Sequence, residues 1–461
     1  MILLRSQITM RSFTSNRIFV RAVIVGFFMG ALSVHVQANQ DPELVAKTNG
    51  NSLDNRAIAA IDSPHVISSD RSVWQAIQQN FQLKPVPHAS ALSAMKKHQN
   101  WFTDHPAYTQ RMLRRAEKYL SYVVNEVAKR KMPSEIALLP MIESAYNPMA
   151  TSSKGAVGIW QFISSTGHDF GLMQNAWLDQ RRGVVQSTQA ALDYLEKLYA
   201  EFGSWELALA AYNAGEGRIA KTIKANKRLG KPHGYYDLSL PRETREFVPK
   251  LLAIKAVLGQ TERYRQALLS LPMTHYFREV TLPRPVDVNL IPVLAGITLN
   301  EFKLLNAEHK MPLLSPDNYV PRVLVPVSSA DKFGLALANA TQPLATWIAY
   351  HPVAGETAQG IAEKFGLDLT ALMQLNRLSV YTRLTSSRAL LVPKNPGQLA
   401  YLMAQQKNPQ PSGVITHHIS FGDSLRSIAR KYKVSPQALI AFNELRSKKL
   451  IIGTTIDIPS E

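Results

Sequence analysis

A chain of 461 residues, 46% hydrophobic and 19% charged, is too long for one ordinary core and too apolar to be disordered or fibrous, so several domains are expected. Lysine and arginine outnumber aspartate and glutamate by 52 to 34, a formal net charge of +18; that balance suits an anionic partner such as nucleic acid, a membrane face or an acidic polymer. Cysteine is absent, which excludes disulfide-linked partners, thiolate metal sites, cysteine nucleophiles and lipid attached at a cysteine.

The N-terminus carries Arg5, Arg11, Arg17 and Arg21 with no acid before Asp41, then an uncharged apolar run, Ala22 to Val34, and Val36-Gln37-Ala38. A basic region, an apolar region and a small-residue end predict a secretory signal over 1–38. The run is short beside the roughly 20 apolar residues of a membrane span, so cleavage is expected over retention as an anchor. Export weakens the nucleic-acid reading of the charge and favours an envelope polymer. Residues 39–95 read as a lead-in ending in a docking helix near Val73 to Ile77. In Tyr108 to Lys131, apolar residues recur at three and four and predict one amphipathic helix. Ser134 to Glu143 predicts a second, with Ser134 as cap and Pro140 as a kink. Pro148 to Gly158 reads as loop. Helical patterns return over Ser187 to Phe202, over Trp205 to Ala214 between a Ser204 cap and Gly215, and over Arg242 to Leu258. Residues 96–265 therefore form a mainly α domain.

The last third changes character. Short β-type runs, Val323-Leu324-Val325 and Leu390-Leu391-Val392, each end at a proline. Two segments look like copies of one small α+β unit. Gly355-Glu356-Thr357, Ile361 to Phe365, Leu372 to Asn376 and Val392-Pro393 align with Gly422-Asp423-Ser424, Ile428 to Tyr432, Leu439 to Asn443 and Ile458-Pro459. The modules are placed at 345–394 and 414–460, joined by a linker rich in Pro, Gln and Asn at 395–413. A connecting region, 266–330, holds a weaker third repeat between Leu290 and Pro326. Asn376 and Asn443 read as helix C-terminal caps.

No phosphate-binding Gly loop, zinc-ligand helix or G-x-S-x-G elbow is present, and His417-His418 is a lone pair, so neither metal nor cofactor is expected. The dense polar cluster is Glu143-Ser144 with Ser152 and Gln161. A carboxyl at the end of a helix bearing Ile136, Ala137, Leu138 and Leu139 is expected to be desolvated, which keeps it protonated near neutrality, as general-acid cleavage of a glycosidic bond requires. By itself a helix-end glutamate is usually a solvated residue, Ser152 a loop hydroxyl, Tyr212 a core aromatic, and Trp160 as readily core as sugar platform.

Glu143-Ser144-Ala145-Tyr146-Asn147-Pro148, then Ser152, then Gly155 to Phe162, then Ala211-Tyr212-Asn213-Ala214-Gly215, resembles the goose-lysozyme-like SLT domain of lytic murein transglycosylases. The two C-terminal copies resemble LysM modules, which bind N-acetylglucosamine-containing glycans. The resemblance implies a multidomain fold: a mainly α lysozyme-like catalytic domain followed by small βααβ modules. It implies peptidoglycan glycan strands as partner, with room for other cell-wall enzymes, and no nucleic acid. It assigns Glu143 as the catalytic acid and base and Ser144 as the residue orienting it. Ser152, Gln161, Tyr212 and Asn213 would contact substrate, and Gly355, Thr357, Gly422, Asp423 and Ser424 would form the glycan-binding turns. No second acid stands out beside these motifs, which suits a reaction whose nucleophile is the substrate's own hydroxyl. Competing readings are a lysozyme-type hydrolase and a catalytically silent wall-binding scaffold. Some members carry a lipid on cysteine; this sequence has none.

Overall fold

The computed structural model describes residues 71–86, 88–315, 320–379, 381–395, 397, 415–419, 423–443 and 455–458. The expected signal segment, the lead-in up to residue 70, most of the linker and Gly422 lie outside the described residues. Helix α1 (Val73–Gln78) starts in a capping box between Ser72 and Gln75 and buries Val73, Trp74 and Ile77 in the core. Then follow α2 (Ala89–Asp104), α3 (Pro106–Ala116) and α4 (Leu120–Lys129). The single helix expected from Tyr108 to Lys131 is broken at 117–119. There the Tyr119 amide bonds to Ala116 three residues back, and the turn swings the Tyr119 ring into the core, its hydroxyl donating to the Leu304 carbonyl at 2.9 Å. Amphipathic periodicity survives such a break because both halves still face the same core.

Ser134 does not cap a helix: it opens a 3-10 turn, Ser134–Leu138, and its hydroxyl donates to the Ile77 carbonyl at 2.5 Å. Pro140 does not kink one either, because it lies in the first turn of α5 (Leu139–Glu143), where no amide is needed. The buried Glu135 beside it accepts from Lys255 at 2.8 Å and from the amides of Gln82 and Leu83, the paired state that a buried carboxylate requires. After the short strand β1 (Thr151–Ser152) come α6 (Ser164–Asp169), α7 (Val184–Phe202), α8 (Trp205–Ala214), α9 (Glu216–Arg228), α10 (Arg242–Gln260) and α11 (Glu262–Leu269). Gly203 ends α7 at φ +66°, and Ser204 accepts from the Leu207 amide to start α8. One continuous core, with Trp74, Met112, Ile136, Trp160, Leu195, Leu209 and Leu251 among its members, joins α1 to α11.

The remaining chain is built from one repeated plan. In the connecting region β2 (Phe277–Thr281) pairs antiparallel with β5 (Arg322–Pro326) around α12 (Leu290–Ala295) and α13 (Leu299–Leu305), with a second ladder of β3 (Val286–Asp287) and β4 (Leu313–Leu314). Helix α14 (Val327–Asn339) leads to β6 (Trp347–Tyr350), α15 (Ala358–Lys364), α16 (Leu369–Leu375) and β7 (Leu390–Pro393), with β6 antiparallel to β7. The last unit is β8 (Ile415–His418), α17 (Leu425–Tyr432), α18 (Pro436–Phe442) and β9 (Thr455–Ile458), with β8 antiparallel to β9. Each has a βααβ order. Among the described residues no helix is long and apolar enough to cross a membrane.

An asparagine ends the second helix of each unit and ties it inward. Asn376 donates to the carbonyls of Leu372 (3.1 Å) and Leu391 (2.9 Å) and accepts from the Leu391 amide (2.6 Å). Asn306 repeats the pattern with Phe302 and Leu324, and Asn443 donates to Leu439. Asn376→Ala strands the amide and carbonyl of the fully buried Leu391, so a loss of about 1–3 kcal/mol is expected for that module. Urea unfolding followed by a probe within the module measures it, and an unchanged midpoint would contradict this role.

Candidate active site

Glu143 is the last residue of α5. Beyond it the chain does something costly: Ala145 and Tyr146 both adopt left-handed φ, +52° and +55°, each a strain of about 1–3 kcal/mol for a non-glycine residue. Three contacts hold the turn. The Tyr146 hydroxyl donates to the Ala137 carbonyl at 2.7 Å, its amide bonds to Pro140, and the Ser144 hydroxyl bridges to the carbonyls of Ile159 (2.9 Å) and Pro140 (3.2 Å). Ser144 is thus fully buried and absent from the cleft. Successive helical residues project about 100° apart, so with Glu143 facing the cleft, Ser144 turns into the core. It secures the helix end to the next loop rather than touching the carboxyl or a substrate.

That loop, 150–162, is shaped from within. Ser152 and Ala156 bond through both backbone groups and side chain, with the Ser152 oxygen accepting from the Ala156 amide at 2.9 Å. The Ser152 hydroxyl proton takes no part in that bond. Gln161 stands at φ +55° and donates from its amide nitrogen to the Gly158 carbonyl at 2.8 Å. Arg182 grips the loop from behind, through the carbonyls of Pro148 and Ala150 and the Thr151 hydroxyl. Trp160 is fully buried with its indole nitrogen on Thr188 at 2.9 Å, which settles it as core.

From α8, Tyr212 donates its hydroxyl to the Trp160 carbonyl at 2.8 Å, and the Asn213 carboxamide oxygen accepts from Thr244 at 2.9 Å. Burial, with Glu143 adding to it, holds the Tyr212 phenol well above its ordinary value. It is therefore neutral, and with its proton committed it meets a ligand as an acceptor.

Glu143, Ser152, Gln161, Tyr212 and Asn213 line one cleft of about 570 Å³. The pattern in the sequence missed others on the same walls: Lys154, Thr166, Tyr194, Glu216 and Glu243. No second acid was expected, yet two reach the cleft. Glu216 opens α9 and is held by the Tyr194 hydroxyl at 2.7 Å and Lys197 at 3.1 Å; hydrogen bonding to Tyr194 above all keeps its carboxyl below the usual range. Glu243 lies in the first turn of α10, far from Glu143 in sequence, and no local spacing marks it. Glu143 itself is pushed up to about 7, chiefly by burial, with Lys250 opposing and Glu243 reinforcing the rise. Lys250 donates to the Ile142 carbonyl at 3.0 Å. A carboxyl poised at neutrality can both give and take a proton. Among the described residues no group of three or more histidines and carboxylates could hold a metal.

The final module reaches this cleft. Strand β8 runs parallel to β1, with Thr151 opposite His417 and Ser152 opposite His418, and Ile419 lines the cleft. His417 is buried between the Tyr432 hydroxyl and Asp423, both at 3.0 Å. Of the expected glycan-binding turns, Gly355 (φ +88°) and Thr357 precede α15, and Asp423 and Ser424 precede α17. The hydroxyls of Thr357 and Ser424 cap those helices.

Family models match the Transglycosylase SLT domain at residues 123–233 and the LysM domain at 353–393 and 417–459. The chain is 34% identical over 397 residues to membrane-bound lytic murein transglycosylase D of Escherichia coli K12, covering 83% of this chain and 84% of the relative. A putative tributyltin chloride resistance protein of an Alteromonas species is 44% identical over 119 residues, 26% of this chain and 58% of its own. An N-acetylmuramoyl-L-alanine amidase of Staphylococcus epidermidis is 26% identical over 212 residues, 45% of this chain and 57% of its own.

Proposed function

The chain belongs to the lytic murein transglycosylases built from an SLT domain and LysM modules, and from that premise we propose that Glu143 alone carries the proton transfers of its reaction on peptidoglycan. The observation that supports this most is a desolvated carboxyl raised to about 7 in a cleft walled by Gln161, Tyr212 and Asn213. Glu143 protonates the oxygen between N-acetylmuramic acid and N-acetylglucosamine as the C1–O bond breaks. The muramoyl N-acetyl group supports the positive charge developing at C1. The carboxylate then takes the proton of the muramoyl C6 hydroxyl, whose oxygen closes the 1,6-anhydro ring on C1. Water is not consumed. Ser152 donates to substrate, while Gln161, Tyr212 and Asn213 position it. Mass spectrometry of muropeptides released from purified sacculi tests this: products one water lighter than hydrolytic ones are expected. Reducing ends would instead turn attention to Glu243 as a water-activating group.

Lys250 sets the working range. Its positive charge favours the carboxylate, so Lys250→Met is expected to raise Glu143 further and to move the falling limb of the kcat/KM profile to higher pH. A limb that stays or moves down would remove Lys250 from this role.

The division at 1–38, 39–95, 96–265, 266–330, 345–394, 395–413 and 414–460 belongs to the same proposal, as does export to the periplasm, which rests on the arginine-rich start and the apolar run behind it. With no cysteine, the chain offers no thiol to a lipid and is held at the wall through its modules.

A further inference from the structure

Residues 173–180, between α6 and α7, form a tongue that folds back on itself. The Gln180 amide donates to the Met173 carbonyl, the Gln180 side chain accepts from the Met173 amide, and Gln174 and Asp179 bridge antiparallel. At the turn the Asn175 side chain accepts from the amides of Trp177 (2.8 Å) and Leu178 (2.9 Å). A loop closed by its own bonds passes a displacement along instead of absorbing it. Trp177 stands at its tip.

Two other parts of the molecule hold that tip. The connecting unit pairs with it as a strand would: the Lys310 amide donates to the Trp177 carbonyl and the Asp179 amide to the Glu308 carbonyl, both at 2.9 Å, and the Lys310 ammonium reaches the Asn175 carbonyl at 2.5 Å. The first LysM module supplies the rest. The Trp177 indole N–H donates to the Ala389 carbonyl at 2.9 Å, and its ring packs with Leu313, Leu375 and Leu391. Successive strand residues face opposite sides. In β7, Leu390 and Val392 close the module's own core with Ile361 and Leu372, while Leu391 turns to the tongue. The module therefore has a core of its own that does not include Trp177.

The root of the tongue grips the catalytic loop. Asp179 holds Arg181 through two parallel bonds of 2.9 and 2.8 Å, a fork that fixes the guanidinium plane. Arg181 donates in turn to the carbonyls of Gly155 (3.3 Å) and Phe162 (3.4 Å), and Arg182 beside it holds Pro148, Ala150 and Thr151. These bonds bracket the stretch that carries Ser152 and Gln161. We infer that Trp177 is a positioning residue for the reaction: the first LysM module, seated on its ring, steadies the tongue, and the tongue keeps Ser152 and Gln161 in place opposite Glu143. The inference rests on those two side chains working on the substrate, as proposed above. It gives the first module a duty separate from glycan binding, since the module serves the cleft by being docked.

The test uses the full chain on soluble glycan strands. In Trp177→Ala, kcat is expected to fall about ten-fold or more, the scale of loss when a change far from the chemistry shifts reacting groups. KM and binding to sacculi should stay within about two-fold of the parent, because the module keeps its own core and the lost interaction acts on the transition state. Trp177→Phe keeps a ring against Leu375 and Leu391 and should recover most of the loss. The falling limb of the pH profile should not move, since Glu143, Lys250 and Glu243 lie outside the tongue. Lys310→Met removes only an exposed ammonium from the Asn175 carbonyl, so it should give a smaller fall in kcat and remains a test if Trp177→Ala misfolds. An unchanged kcat in either variant, a rise in KM in place of the fall, or a phenylalanine no better than alanine would overturn the role. A shifted pH limb would place the effect on Glu143 itself and overturn the route through the loop. These rates are read as strand cleavage whatever end is formed, whereas the ends released by the unaltered chain test the catalytic reading, so the two can fail independently.

Discussion

Glu143→Gln is expected to lower the release of anhydro-ended muropeptides by about 10²–10⁴-fold, the range over which a positioned acid–base group contributes, while binding to sacculi through the modules persists. Glutamine keeps the shape and the hydrogen-bonding reach of the side chain but has no proton to give to the glycosidic oxygen. Retained release would sink the assignment, and loss of binding along with release would point to misfolding. Stability supplies an independent check. A carboxyl raised from its ordinary 4.5 to about 7 holds a proton in the folded state that the unfolded chain has lost between those values. Stability from this group is therefore full below about 4.5 and declines as pH rises toward 7. Glutamine mimics the protonated form, so the variant should melt with the parent at pH 4 and above it at pH 8. The same pKa dictates the rate: with the acid needed in protonated form at the first step, kcat/KM should fall as pH passes through about 7.

The residues that line the cleft were legible in the sequence where they are local. Glu143 and Ser152 share one helix end and its following loop, Gln161 sits in the tight turn that Gly158 permits, and Tyr212-Asn213 end a helix whose cap and stop are both legible, Ser204 and Gly215. The two copied modules were legible for the same reason, since each is a short repeat read against its twin. What escaped is what the tertiary fold brings together. Glu216 and Glu243 arrive from the first turns of α9 and α10, Lys250 from two turns further along α10, and none has a spacing that ties it to Glu143. Ser144, which the resemblance gives the role of orienting the carboxyl, has its hydroxyl on the carbonyls of Pro140 and Ile159, contacts that only the folded turn brings together. The break at 117–119 left no mark in the periodicity either, and the contact made there, the Tyr119 hydroxyl on the Leu304 carbonyl, reaches a residue 185 positions away.

Gly158→Ala is expected to be the most damaging single change in the loop, costing about 2–5 kcal/mol from left-handed strain and forced displacement together. At φ +81° the added Cβ would stand 2.0 Å from the Arg181 carbonyl oxygen and 3.2 Å from the Arg182 Cα, all backbone that cannot swing aside. Gly155 provides the control, for it has a similar φ of +77° but nothing within 4 Å of its Cβ position; its alanine variant bears only the left-handed penalty, about 1–2 kcal/mol. The difference between the two isolates the crossing of the loop over the 179–183 turn. Arg182 holds Pro148, Ala150 and Thr151 from that turn, and the Gly158 carbonyl receives the Gln161 side chain. Pushing the two segments apart therefore moves Ser152 and Gln161 away from Glu143 at once, and activity should fall with stability in Gly158→Ala but stay near that of the parent in Gly155→Ala. Melting curves and muropeptide release for the pair decide it: equal losses in both would mean that the close backbone crossing is not what shapes the cleft.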